Sequence, residues 1–127
     1  MSPLDHDHPV NAGRVTAARA GGLSAEDAGQ LAELLGILAD PVRSRILFAL
    51  GAAGELCVGD LALALEVTED QVSYALKLLR LARLVSFRKE GRMVFYRLSD
   101  GFPDQLLEHC LPQLLSLPRR RQRDRNA

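Results

Sequence analysis

The stretch ELCVGD, residues 55–60, sets a cysteine three residues ahead of an aspartate. At i and i+3 of a helix two side chains emerge on one face, about 5–6 Å apart. Near a helix N-terminus the backbone dipole favours thiolate and carboxylate alike. Two of the chain's three histidines stand close to its start, in DHDH, as Asp5, His6, Asp7 and His8. Thiolate, imidazole and carboxylate together suit zinc, cobalt or cadmium. Cys57, Asp60, His6 and His8 are therefore candidate ligands of a divalent metal ion. The structural alternative is a buried Cys57 packed as a small hydrophobe, an Asp60 serving as a helix cap, and a polar arm.

The other cysteine, Cys110, follows Glu108 and His109. With Cys57 it forms a candidate thiol switch, provided the two come within disulfide reach. The bland reading is a small apolar side chain. Neither cysteine belongs to a nucleophile–base pair, and no glycine loop suited to phosphate is present, so an enzyme is not expected.

A second set of residues fits nucleic acid. Thr68, Gln71, Ser73 and Tyr74 are polar and closely spaced, and Lys77 and Arg80 follow one and two turns on. Amide and hydroxyl groups near the start of a helix can read base edges in a major groove, and Gln can pair with adenine. Arg88, Lys89 and Arg92 form a third basic group, suited to phosphates. Glu69 and Asp70 oppose this reading, because carboxylates are repelled by phosphate. The alternative is a set of solvated faces.

These residues need elements to carry them. The chain has 127 residues, 47% of them apolar, and only 5% aromatic with no tryptophan. One domain with an aliphatic core, built from closely packed helices, is expected. No apolar run approaches the ~18–20 residues that span a bilayer, and the start MSPLDHDHPV lacks a signal-peptide pattern. A cytoplasmic, membrane-free protein is the default, and in a reducing compartment two cysteines do not imply a structural disulfide. Formal net charge is zero, yet residues 1–76 carry −7 and residues 77–127 carry +7. The basic half suggests an anionic partner for that half alone.

Residues 1–22 show no period and read as a flexible N-terminal arm. Ser24 and Asp27 mark a helix start, followed by Leu31, Leu34, Leu35 and Leu38 at helical spacing. Asp40 and Pro41 open a second helix through Val42, Ile46, Leu47 and Leu50. CVGDLALALE reads as a short third helix, with Leu61 and Leu65 inward. Thr68 and Gln71 form a capping box for a fourth, with Val72, Ala75, Leu76 and Leu79 as its apolar stripe. The two or three residues around Val67 join these helices as a helix-turn-helix. From Leu84 the period becomes 2, with a turn at Glu90–Gly91, which predicts a β-hairpin. FPDQLLEHCLPQLLSL is a final amphipathic helix that Pro112 should kink or break. The expected fold is mainly α with a small β-hairpin: a winged helix-turn-helix of order α-α-α-α-β-β-α. Residues 23–117 form that domain, and residues 118–127 are a basic, disordered tail. Five arginines between Arg119 and Arg125 can raise nonspecific DNA affinity or simply aid solubility.

LADPVRSRIL (38–47), ELCVGDLA (55–62), VSYALKLLRLARLV (72–85) and RKEGRMVFYRL (88–98) resemble the ArsR/SmtB family of metal- and stress-responsive bacterial repressors. The resemblance covers about residues 31–110. It implies a winged-helix homodimer joined through its first and last helices and bound to an inverted-repeat operator in double-stranded DNA. It implies release of that DNA when an inducer binds. In such proteins the ELCV cysteine, with ligands from the partner subunit's arm, holds zinc, cadmium or lead. Family members often carry Ser-His in the recognition helix; here it is Ser73-Tyr74, so only Ser73 carries over. The family's last-helix metal site corresponds to Asp100, Phe102, Gln113 and Ser116, where one residue of four survives. Arsenite or reactive sulfur sensing through Cys57 or Cys110 is the alternative within the family. A helical protein-interaction module is the alternative outside it.

Overall fold

The computed structural model describes residues 10–103 and 106–118. The chain divides into two compact units, one ending at Leu35 and the other starting at Gly36, so the division falls within the sequence of the second helix.

The first unit holds a helix that the apolar pattern does not announce. Helix α1 (Ala12–Gly21) occupies much of the stretch expected to be an aperiodic arm. Its alanines favour the helix intrinsically, and the Asn11 side chain caps it by accepting from the Arg14 N–H at 2.9 Å. It buries no residue, so no apolar stripe was there to read. Helix α2 (Ala25–Leu38) starts at Ser24, whose Oγ accepts from the Asp27 N–H at 3.0 Å.

The second unit contains the core. Helix α3 (Pro41–Ala53) is capped by Asp40, whose carboxylate accepts from the Arg43 N–H at 3.0 Å, with Pro41 in its first turn. Strand β1 (Leu56–Cys57), helix α4 (Val58–Leu65) and helix α5 (Glu69–Leu81) follow. Strands β2 (Val85–Glu90) and β3 (Met93–Leu98) form the hairpin. Its turn places Gly91 at φ +62, where glycine avoids the steric cost of a Cβ.

Leu47 and Leu50 of α3, Leu61 of α4 and Leu76 and Leu79 of α5 are almost fully buried around Ile46 and Val72. Val85, Phe102 and Leu107 close the cluster. An aliphatic core of this kind holds α4 and α5 against α3, leaving the opposite face of α5 free.

One expectation is corrected, and one is borne out with added detail. Cys57 does not begin a helix: it ends β1 and stands as the N-cap of α4. Leu56 and Cys57 pair antiparallel with Tyr96 and Phe95, giving a three-stranded sheet of order β1-β3-β2. A two-residue strand is too short to show alternation. The last helix is also not one element. Leu106–Cys110 is a π-helical turn, and helix α6 (Leu111–Leu115) restarts after it. Pro112 has no N–H to continue the ladder, so the break falls where the sequence places it.

Among the described residues, no helix is long and apolar enough to cross a membrane.

Candidate nucleic-acid interface and ligand site

The link between α4 and α5 is three residues, Glu66 to Thr68. Glu66 takes a left-handed conformation, φ +57, and its N–H reaches the carbonyls of Ala62 and Leu63. At Thr68 the capping box is complete: its Oγ1 accepts from the Gln71 N–H at 3.1 Å, and its own N–H donates to Gln71 Oε1 at 3.0 Å. The Thr68 hydroxyl also donates to that oxygen at 3.2 Å. This alters the expectation for Gln71. A bidentate contact to adenine needs both ends of the amide, and here the acceptor end is committed to the cap. The N–H₂ end remains.

Val72, Ala75, Leu76 and Leu79 lock one side of α5 into the core, and Ser73, Tyr74, Lys77 and Arg80 stand exposed. The Arg80 guanidinium lies over the Phe87 ring, 4.2 Å from its centroid, which ties α5 to the wing. Lys89 and Arg92 are exposed at the hairpin end.

Arg88 sits differently from the expected free cation. Its Nε and Nη2 donate to the Glu55 carboxylate at 2.7–3.0 Å, and its Nη1 donates to Glu90 at 2.8 Å. Its guanidinium carbon is 4.7 Å from the Phe95 ring centroid. The Arg88 hydrogen bonds hold the Glu55 carboxyl below its ordinary range, against a smaller opposing effect of desolvation. Bonds to Glu55 and then Glu90 push Arg88 upward in turn, so it stays charged. Neither Glu55 nor Phe95 stood out in the sequence, because 33 residues separate Glu55 from Arg88 and no periodic signal connects them.

Cys57 is only 7% exposed, yet it faces a cavity of about 690 Å³ that Asp60 also lines. The same cavity is lined by Glu69 at the start of α5 and by Arg92 and Met93 of the wing. Glu69 Oε1 comes within 3.6 Å of the point where a Cβ on Gly59 would lie. Among the described residues, no group of three or more His, Cys, Asp or Glu is arranged to hold a metal ion. Cys57 and Asp60 thus offer two donors to one cavity, and His6 and His8 lie outside the described residues.

Both thiols are free, Cys57 buried and Cys110 exposed. His109 Nε2 stands 3.7 Å from Glu108, beside the exposed Cys110 in sequence. At the last-helix positions, Phe102 is buried in the core and Asp100 approaches Arg97 at 3.6 Å. The basic run from Arg119 to Arg125 lies outside the described residues.

A helix-turn-helix with an exposed polar recognition face, followed by a basic antiparallel hairpin, defines the winged-helix class of DNA-binding regulators. Residues 40–86 match the family described as bacterial regulatory protein, arsR family. The chain is 49% identical over 79 residues to the "Transcriptional repressor SmtB homolog" of Synechocystis sp., spanning 62% of this chain and 59% of that one. It is 35% identical over 86 residues to the cadmium resistance regulatory protein CadC homolog of Staphylococcus aureus, spanning 68% and 71%. It is 45% identical over 71 residues to the arsenical resistance operon repressor of Escherichia coli, spanning 56% and 61%. The matches thus span about three fifths of the Synechocystis and Escherichia coli relatives. Among solved structures, HlyU from Vibrio cholerae in its reduced form is 34% identical with a TM-score of 0.63, covering 72% of this chain and 95% of that one. The antimony-specific repressor AntR gives 28% and 0.64, covering 91% and 94%. The chain belongs to the ArsR/SmtB family of winged-helix transcriptional regulators.

Proposed function

We propose that the protein is a homodimeric, cytoplasmic transcriptional repressor that leaves its operator when zinc, cadmium or lead binds at Cys57. The observation that carries this reading is the shared cavity. The thiol and the Asp60 carboxylate open onto the same space as Glu69 of the recognition helix and Arg92 of the wing. A cation held there acts on both DNA-facing elements at once. The similarity to relatives named for SmtB, cadmium resistance and arsenical resistance supports the same reading.

Cys57 and Asp60 are ligands in this proposal, and His6 and His8 supply the imidazoles. A thiolate is the donor that favours zinc and cadmium over hard cations. On the DNA side, Ser73, Tyr74 and the Gln71 N–H₂ face base edges, Thr68 and Lys77 face the backbone, and Arg80, Lys89 and Arg92 supply positive charge.

Cadmium or cobalt titration of the purified protein tests the site. Thiolate-to-metal absorption is expected in the wild type and absent in Cys57→Ser. Unchanged absorption in the variant would move the site to Cys110 and sink this assignment.

A further inference from the structure

Arg88 reaches from β2 across β3 to the residue just before β1. It stands on β2 opposite Phe95 of β3, and Phe95 stands opposite Cys57 of β1. Cys57, Phe95 and Arg88 therefore form one row across the sheet, on one face. The Arg88 guanidinium lies over Phe95 and ends on Glu55, which immediately precedes β1. Glu90, near the hairpin end, takes the remaining Nη1.

We propose that Glu55 and Arg88 are positioning residues. They clamp the wing to the strand that carries Cys57, and so hold the wing at the angle DNA binding requires, without Arg88 contacting phosphate. The inference rests on the DNA-binding reading above. Its physical basis is the weakness of the alternative attachments. A two-stranded hairpin is marginal by itself, and β1 adds only two pairings to it. The clamp adds a two-nitrogen grip on one carboxylate and a stacked ring. Only arginine supplies a planar fork and a stacking face together, so lysine keeps the charge but loses the clamp. An exposed ion pair contributes little to global stability; its effect falls on the orientation of the hairpin.

The test compares Glu55→Gln, Arg88→Lys, Arg88→Gln and the double variant Glu55→Gln/Arg88→Lys. Binding to a labelled duplex of the protein's own promoter region is measured across a salt series. We expect each single variant to bind roughly two- to five-fold more weakly, within the range exposed pairs allow. The salt slope should be unchanged and the double variant no weaker than either single. Full wild-type affinity in Arg88→Lys would mean that charge alone suffices and Arg88 meets phosphate. Tighter binding by Glu55→Gln would mean that Glu55 merely masks Arg88 from DNA. A salt slope lower by about one per subunit in Arg88→Gln would report a lost phosphate contact. Any of these three overturns the clamp.

Hydrogen exchange without DNA provides a second reading of the same variants. The Cys57 and Phe95 amides should exchange faster once the clamp is cut, and unchanged exchange overturns the proposal. This arm holds even if the wild type fails to prefer the promoter duplex, an outcome that would refute the DNA-binding reading instead.

Discussion

The Glu55 carboxyl is held below its ordinary value of 4.5 by its hydrogen bonds to Arg88. A carboxyl whose folded pKa is depressed stabilises the fold fully above its unfolded pKa, and that contribution is lost as pH falls through the folded value. The pair is exposed to solvent, so the contribution is small, but the titration itself is readable. NMR titration of the Glu55 side chain should give a midpoint below 4.5, and Arg88→Gln should return it to the ordinary range. A wild-type midpoint at the ordinary value would refute the persistence of this pair in solution. At this scale ELCVGD announced Cys57 and Asp60, and both do open onto one cavity. The role of Arg88 was hidden, because a cation near a hairpin turn reads the same whether free or paired. Gln71 was only half legible: the same S/T-x-x-Q spacing that marks the cap also occupies the oxygen assigned to a base.

Helix α5 depends on its first turn. Thr68 and Gln71 satisfy each other's backbone N–H groups, and Thr68→Ala removes one acceptor from the end proposed to face DNA. A loss of about 1 kcal/mol is expected, seen as a fall of a few degrees in thermal unfolding. DNA affinity should fall with it. No change in melting would show that the cap contributes nothing. Helices α2, α3 and α5 were legible because cap residues and apolar spacing agree in each, whereas α4 has no side-chain cap and was read from Leu61 and Leu65 alone. Strand β1 was not, since its two residues acquire a strand's pairing only when β3 folds beside them. Helix α1 escaped for the opposite reason: it forms from local propensity and a cap, and buries nothing. Pro112 signalled a break, though not the π-helical turn before it, in which Leu107 is buried.

For the whole molecule, the +7 half contains the lysines and arginines proposed to face DNA, while the start of α5, with Glu69 and Asp70, belongs to the −7 half. Lys77, Arg80, Lys89 and Arg92 belong to the basic half and carry the recognition helix and wing. Leucines remain exposed as well: Leu31, Leu34 and Leu35 on α2, and Leu114, Leu115 and Leu117 in and after α6. Unpartnered apolar side chains of this number suit burial against a second copy. Sedimentation equilibrium should therefore give twice the 13.9 kDa chain mass. A stable monomer at micromolar concentration would contradict the homodimer.

Metal binding in the cavity at Cys57 and release of DNA are coupled in this proposal, and a single titration series reads that coupling. Fluorescence anisotropy of the promoter duplex is followed against protein at fixed salt, with and without cadmium, for the wild type and Cys57→Ser. The account predicts specific binding by both proteins, and a loss of affinity of about ten-fold or more on adding cadmium to the wild type alone, within the usual range of coupling between two sites. Equal cadmium-induced release from Cys57→Ser, or unchanged wild-type affinity with cadmium bound, would contradict it.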